Sequence, residues 1–161
     1  MQAYQIIKVK EIMNAMLRND NFDSFLVSDI TIKNQISYVI DGHMSSLEDA
    51  DAIVHDGMPA TCISYGKVRN ICFEMMKGKT IPSYFKFIFL LPPDQLASLL
   101  ESTDTSLQTS DIANLSLNLR FQDNVLLATA GTSLKIFTTD KTLDKAWDEW
   151  VSHFLEPYQL V

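Results

Sequence analysis

The chain has 161 residues, and 47% of them are hydrophobic and 10% aromatic, a content that excludes a largely disordered protein. Thirteen Lys and Arg against 20 Asp and Glu give a net charge of −7, which argues against a general binder of nucleic acids or anionic membranes. Two cysteines, Cys62 and Cys72, are too few for a disulfide framework or a cysteine-based zinc site, so we expect free thiols in a reducing cytosol.

The first part of the chain predicts a strand, a helix and then a pair of antiparallel strands. These elements cover residues 4–9, 12–19, 22–32 and 36–40. After them, Ser45 and Glu48 have the spacing of a capping box, in which the two side chains satisfy backbone N–H groups at a helix start. This spacing predicts a short acidic helix that ends near Gly57, because glycine commonly follows the last turn of a helix.

The second part of the chain alternates helices with strands, beginning with a helix from Lys67 that ends at Gly78. The later elements are a strand over 84–91, a helix over 94–100, strands over 115–121, 125–130 and 134–138, and a final helix over 141–156. Alternation of leucines with polar residues over 115–121 is typical of an antiparallel strand with one face in water. The final helix carries Trp147 and Phe154 on one stripe, which predicts packing on the core.

Together these elements predict an α+β fold, with a largely antiparallel sheet and helices on one side or at the ends. The length predicts a single domain over residues 1–161. The longest apolar run, residues 87–91, is too short to cross a membrane, and Lys8 and Lys10 stand where a signal peptide is apolar. We therefore expect a cytoplasmic protein that has no membrane partner.

Residues 4–42 and 84–138 share an order of elements, a strand, a helix and further strands, which indicates an internal repeat. A pair of β-α-β-β-β units resembles the repeat from which DNA sliding clamps are built. In that family a helix with leucines is followed by strands that end in small residues, as at Leu127-Ala128-Thr129-Ala130. The resemblance implies a clamp-like architecture, although a fold does not by itself carry a function.

A second resemblance covers nearly the whole chain and is carried by several short strings. They are Phe22-Asp23-Ser24-Phe25-Leu26, Ile40-Asp41-Gly42, Cys72-Phe73-Glu74, Lys77-Gly78-Lys79 with Pro82, and the run 131–137 followed by Asp140-Lys141, Leu143 and Trp147-Asp148. These strings look like an uncharacterised protein family from Firmicutes. The resemblance implies a cytoplasmic bacterial protein of unknown function, and residues 43–66 match no pattern within it.

Positive charge is concentrated between residues 67 and 86, where five Lys and Arg accompany a single acidic residue, Glu74. Four of these cations form the candidate site for an anion or a nucleic-acid backbone: Arg69, Lys77, Lys79 and Lys86. The alternative is that Lys77 and Lys79 complement the dipole at a helix C-terminus, while the other cations belong to an ordinary solvated surface.

The sequence predicts no catalytic residue, no metal site and no cofactor. Gly78-Lys79-Thr80 resembles the end of a phosphate loop, but the glycine that must precede that ending is missing. Gly131-Thr132-Ser133 lies between predicted strands, whereas a nucleophile elbow joins a strand to a helix. Asp51 and His55 have helical spacing, and together with Asp41 they make a small metal-dependent hydrolase the third hypothesis.

The leading hypothesis is a non-catalytic binding or scaffolding module, with a protein partner or self-association. An anion or nucleic-acid binder that uses the local basic patch is the alternative. If the architecture is clamp-like, we expect association through sheet edges and a dimer or larger assembly, because an uncovered sheet edge can pair with another strand.

Overall fold

A computed structural model of the protein describes residues 2–44, 54–55, 58–59, 61–78 and 81–161. Its strands are β1 (Ala3–Ile6), β2 (Leu26–Lys33), β3 (Ser37–Asp41), β4 (Val54–His55), β5 (Met58–Pro59), β6 (Tyr84–Leu90), β7 (Ile112–Gln122) and β8 (Val125–Leu134). Its α-helices are α1 (Val9–Leu17), α2 (Arg69–Met76), α3 (Pro93–Glu101) and α4 (Thr142–Leu155). Short 3-10 turns occupy Tyr65–Lys67, Thr109–Asp111 and Glu156–Tyr158.

Six strands form one sheet in the order β1-β8-β7-β6-β2-β3, and every neighbouring pair is antiparallel. This sheet and the helices around it confirm the predicted α+β class. One face of the sheet is apolar, and Phe87 of β6 and Leu119 of β7, for example, are fully buried and lie opposite each other. Buried residues of α1 to α4 join the same core cluster, so these helices cover the apolar face. Lys86 and Asn118 point to the opposite face, because side chains alternate along a strand.

The β7–β8 hairpin shows why the sequence predicted two short strands around Gly131 where the structure has one long strand. Asp123 and Asn124 make its two-residue turn with φ of 53° and 63°, the left-handed conformations that match the twist of a tight hairpin. The prediction of two short strands on either side of Gly131 is wrong, because β8 continues through it. Gly131 lies opposite Ser116, and a Cβ atom there would be 2.7 Å from the Ser116 hydroxyl oxygen. The glycine therefore marks a close approach and not a turn.

The strand predicted over residues 22–32 begins only at Leu26. Phe22 and Phe25 precede it in turns, and both rings are buried against Phe89 at centroid distances of 5.4 Å. Residues three positions apart in a strand would point to opposite faces of the sheet. The chain must therefore turn at this point to place both rings in one core, and core packing overrides local β propensity.

The helix predicted to end near Gly57 is wrong at its C-terminal end. Val54–His55 and Met58–Pro59 pair as the antiparallel strands β4 and β5. The sequence Asp-Gly between them is a favoured hairpin turn, which competes with the interpretation of Gly57 as a helix terminator. The capping box at Ser45 and Glu48 lies outside the described residues.

The two repeat-like segments differ in how their first strand pairs. Within residues 84–138, β6 pairs directly with β7. Within residues 4–42, β1 pairs with β8 instead of β2, and β2 pairs with β6. The first strand of one segment therefore lies at the far edge of the sheet, and the described sheet does not confirm a pair of clamp-like units.

The C-terminal part of the chain closes one edge of the sheet. α4 packs on β8, and Trp147 is fully buried, with its indole N–H donating to the Ser116 carbonyl at 3.0 Å. The prediction that the last helix packs on the core is therefore confirmed. Beyond α4, Gln5 and Val161 exchange two backbone hydrogen bonds of 3.1 and 2.9 Å, which cover the outer side of β1.

The carboxylate of Asp140 holds the start of α4. It accepts hydrogen bonds from the hydroxyl and the backbone N–H of Thr142, and from the Thr105 hydroxyl at 2.8 Å. These bonds, those from Thr142 first, lower the pKa of Asp140 from its ordinary value of 3.8. Because the folded pKa is the lower one, this carboxylate stabilises the fold above pH 3.8, and its contribution is lost as the pH falls through the folded pKa.

We expect Asp140→Asn to lower the melting temperature at neutral pH, because the charge-assisted bonds to Thr142 and Thr105 are weakened. The difference from the unmodified protein should shrink as the pH falls below 3.8, where the carboxyl is protonated in the unfolded chain, and should vanish below the lowered folded pKa, where it is protonated in both states. Thermal unfolding followed by circular dichroism at several pH values measures this difference. Asp104→Asn, at an exposed aspartate nearby, serves as the control, and a pH-independent effect of Asp140→Asn would contradict the assignment.

Candidate binding groove

The structure describes three of the four residues of the predicted basic site, Arg69, Lys77 and Lys86, and places them apart. Arg69 begins α2 and faces the protein: its Nε lies 3.3 Å from an Asp23 carboxylate oxygen, and one terminal nitrogen donates to the Asn19 carbonyl at 2.7 Å. Only 24% of the Arg69 side chain is exposed. Arg69 therefore ties α2 to the turn that precedes β2. Lys79 lies outside the described residues.

Lys86 and Lys77 lie in different layers of the molecule. Lys86 is in the middle of β6 on the face away from the helices, with its Nζ 3.6 Å from an Asp29 carboxylate oxygen. Lys77 follows α2, and its Nζ is 2.6 Å from an oxygen of Glu74. The structure therefore does not bring Lys86 together with Lys77 or Arg69, because the helices and Lys86 lie on opposite sides of the sheet.

Lys77 instead borders a groove between α1 and α2, which we call the α1–α2 groove. Its volume is about 330 Å³. The apolar part of its lining comes from both helices and from the connection to β6: Met13, Leu17, Phe73, Met76, Ile81 and Pro82. Three cations also line it: Lys10, Arg18 and Lys77. No Asp or Glu belongs to the lining as far as the structure describes it.

Two of these cations, Lys10 and Arg18, have no ion-pair partner among the described residues. Lys10, Asn14 and Arg18 follow one another at intervals of four residues and are all exposed, so they share one side of α1. The guanidinium carbon of Arg18 lies 5.7 Å from the centroid of the Phe73 ring, which is within cation–π range. Arg18 is thereby held beside an apolar wall of the groove while its N–H groups remain available to a ligand.

A second concavity of about 570 Å³ adjoins the α1–α2 groove and shares Lys77, Gly78 and Ile81 with it. It lies beside the turn between β2 and β3, and Ile36 and Tyr38 belong to its lining. Ile36 and Ile81 are 61% and 51% exposed. Exposed apolar side chains therefore border this concavity up to the β2–β3 turn, although its lining is mixed and also contains Asn34, Gln35 and Glu74.

Lys10 and Arg18 are missing from the sequence-predicted site, because that site rests on charge density along the chain. The density of positive charge between residues 67 and 86 cannot reveal a cation that lies on another helix packed beside that segment. The recurrence of polar side chains at Lys10, Asn14 and Arg18 is the signal that marks this helix face. It does not say which helix packs beside it.

Neither cysteine is arranged for chemistry. Cys62 and Cys72 are free thiols, both are buried, and they belong to separate hydrophobic clusters. Burial raises the pKa of the Cys72 thiol to about 12 and also raises the pKa of Cys62. Since the thiolate is the nucleophile and the metal ligand, these groups are inert at neutral pH.

The third hypothesis, a metal-dependent hydrolase, gains no geometric support. Asp41 lies beside His43, whose Nδ1 is 2.8 Å from a carboxylate oxygen, and hydrogen bonds from the backbone and ring of His43 lower the pKa of Asp41. His55 lies in a strand, so the helical spacing assumed for it does not apply, and Asp51 lies outside the described residues. Within the described ranges, no three His, Cys, Asp or Glu side chains are placed to hold a metal.

The fold and the groove define a class of protein: an α+β domain with one six-stranded antiparallel sheet, helices on one face, and an apolar, basic groove between two of them. The chain matches the family of unknown function DUF5721 over residues 15–161, and it belongs to that family. Comparison with curated proteins and with solved structures finds no match. Among the described residues, every helix is too short or too polar to span a bilayer.

Proposed function

We propose that the protein is a non-catalytic binding module and that its α1–α2 groove binds a peptide segment that is both apolar and acidic. The observation that carries the proposal is the described lining, which combines six apolar residues with three cations and no carboxylate. A fully buried apolar side chain contributes about 1.5–3 kcal/mol, whereas an exposed ion pair contributes about 0–1 kcal/mol. Apolar side chains of the ligand thus supply most of the affinity, and the cations select acidic partners.

The shape of the surface fits an extended peptide better than it fits a compact ligand. The groove runs into the second concavity, and a chain that occupies both would pass Lys77 and Ile81, which line each of them. Lys77 is already paired with Glu74. The acidic residues of the peptide therefore belong near Lys10 and Arg18, and its apolar residues extend toward the β2–β3 turn.

Two observations support a bacterial cytosol as the setting. Cys62 and Cys72 are unpaired, as is usual in a reducing compartment. The resemblance to a Firmicutes family supports a bacterial source. The likeness to clamp-like repeats remains a proposal about architecture and a clamp-like function, and it adds no residue to the groove.

Short fluorescent peptides with a fixed apolar pattern and Glu, Gln or Lys at the remaining positions test the proposal. We expect fluorescence anisotropy to show the tightest binding for the Glu peptide, weaker binding for the Gln peptide, and the weakest binding for the Lys peptide. Lys10→Glu combined with Arg18→Glu should weaken binding of the Glu peptide about tenfold or more, which corresponds to about 1.4 kcal/mol. Added salt should weaken it as well, because both cations are exposed.

The matched control combines Lys135→Glu with Lys145→Glu, which changes the net charge equally at two exposed lysines outside the groove. This control should bind the Glu peptide nearly as well as the unmodified protein. Equal weakening by both double variants would reject the groove. Tighter binding of a single-stranded oligonucleotide than of the Glu peptide would favour the alternative function, an anion or nucleic-acid binder that uses the local basic patch of Arg69, Lys77, Lys79 and Lys86.

A further inference from the structure

β3 is an edge strand, and its outer side has no partner in the part of the chain that the structure describes. Its inner side pairs with β2 over five residues, from Ser37 opposite Lys33 to Asp41 opposite Asp29. The other edge strand, β1, is covered by Val161. An uncovered edge presents a row of backbone donors and acceptors, which is a template for another strand.

The register with β2 shows which backbone groups face outward. Hydrogen-bonded and non-hydrogen-bonded residue pairs alternate along antiparallel strands. The N–H group of Gly42 donates to the Ser28 carbonyl, just beyond Asp41, which places Asp41 in a non-hydrogen-bonded pair. Ser37 and Val39 lie four and two positions before Asp41, so they are in non-hydrogen-bonded pairs as well. The N–H and C=O groups of these three residues therefore point away from β2.

β3 lacks three features that protect many natural edge strands from pairing, namely lysine, proline and a bulge, and its one charged residue, Asp41, lies at its end. β3 reads Ser-Tyr-Val-Ile-Asp, pairs with β2 without a register shift, and has three β-branched or aromatic residues at its centre. Val39, the middle residue, is 68% exposed. The strand is therefore well suited to accept a partner strand.

We infer that β3 pairs with β3 of a second copy of the chain, in antiparallel orientation, with the two-fold axis at Val39. In this register Val39 lies opposite its own copy, Ser37 lies opposite Asp41, and Tyr38 lies opposite Ile40. Aromatic and β-branched residues are favourable cross-strand neighbours. The Ser37 hydroxyl can donate to Oδ2 of Asp41, because both bonds from His43 use Oδ1. The pairing joins two six-stranded sheets into one continuous sheet.

Neighbouring registers are less favourable than this one. Centring the axis at Asp41 would place two carboxylates directly opposite each other, and like charges in that position are destabilising. Centring it at Ser37 would leave Val39 opposite Gln35, which belongs to the turn between β2 and β3. Centring it at Tyr38 or Ile40 would leave two of the five residues of β3 opposite residues outside the partner's β3, and a register shift of a single residue would exchange the two faces of the partner strand. Only the Val39 register pairs all five residues of β3 with β3 of the second copy and places no like charges opposite each other.

The dependence on salt concentration distinguishes this self-association from the binding of a peptide in the groove. Each copy has a net charge of −7, so long-range repulsion opposes the approach of two copies, and added salt screens that repulsion. We therefore expect salt to strengthen the dimer, whereas it weakens the binding of an acidic peptide to the groove.

Sedimentation velocity over a range of protein concentrations tests the pairing. We expect a reversible dimer, with Val39→Lys remaining a monomer at concentrations where the unmodified protein has dimerised. Val39 is exposed, so the substitution spares the core, and circular dichroism checks that the variant is folded. The control is Phe137→Lys, which makes the same charge change at a side chain that is 93% exposed. A protein that is monomeric throughout, or a dimer that Val39→Lys leaves intact, would overturn the inference.

Cysteine cross-linking tests the register independently. Opposed residues in antiparallel strands have Cα atoms about 5.5 Å apart, which a disulfide can span, so Val39→Cys should form a covalent dimer under mild oxidation. Ser37→Cys is the matched control, because the two copies of residue 37 would be four strand positions, about 13 Å, apart. The native thiols are buried and do not compete. We expect cross-linking at least tenfold faster for Val39→Cys, and equal rates would reject the register.

Discussion

Gly42→Ala is expected to cause a large loss of stability. A Cβ atom at Gly42 would lie 1.8 Å from the carbonyl oxygen of Val27, a backbone atom of β2 that cannot rotate away. The glycine also belongs to a backbone network, because Ile63 donates to the Gly42 carbonyl and Val27 donates to the Ile63 carbonyl, both at 2.8 Å. Relief of the clash must displace this network. We therefore expect a loss of about 3 kcal/mol or more, at or above the upper end of the usual cost of overpacking.

Urea unfolding followed by tryptophan fluorescence measures this loss. Gly131→Ala is the comparison, since the obstacle there is the Ser116 hydroxyl at 2.7 Å, a side-chain atom that can rotate. We expect Gly131→Ala to cost about 1 kcal/mol, at the lower end of the range for overpacking. Equal losses for the two variants would contradict the close approach of Gly42 to β2.

Trp147→Ala is expected to destabilise the protein by about 3–5 kcal/mol, the usual range for a large aromatic residue removed from a core. The Trp147 side chain is fully buried, and its ring stacks on Trp150 with centroids 5.1 Å apart. Truncation leaves a cavity between α4 and the sheet. It also removes the indole N–H that donates to the Ser116 carbonyl at 3.0 Å, and the loss of this hydrogen bond adds to the cost.

Two further variants on α4 control this result. Glu149→Ala removes an exposed side chain from α4 and should change the free energy of unfolding by less than about 0.5 kcal/mol. Trp147→Phe keeps an aromatic ring but loses the indole N–H, so it should fall between the other two. Chemical unfolding monitored by circular dichroism compares all three, and similar values for Trp147→Ala and Glu149→Ala would show that α4 is not docked through Trp147.

Elements with a strong period were predictable from local pattern. The alternation over residues 115–121 lies within β7, and the helix predicted from Lys67 is found as α2. Prediction failed where distant packing decided the conformation. Phe22 and Phe25 have the composition of a strand, but both rings are required in one core, and that requirement bends the chain.

The sequence by itself determined the α+β class, the apolar face of each long element and the free state of the thiols, because these depend on local periodicity and on residue counts. Only the tertiary structure decided that Lys77 shares a groove with Lys10 and Arg18, while Arg69 and Lys86 lie elsewhere. The pairing of β1 with β8 and the packing of α1 beside α2 join segments far apart in the chain. Such pairings are selected by the burial of the whole core, and no local spacing of residues records them.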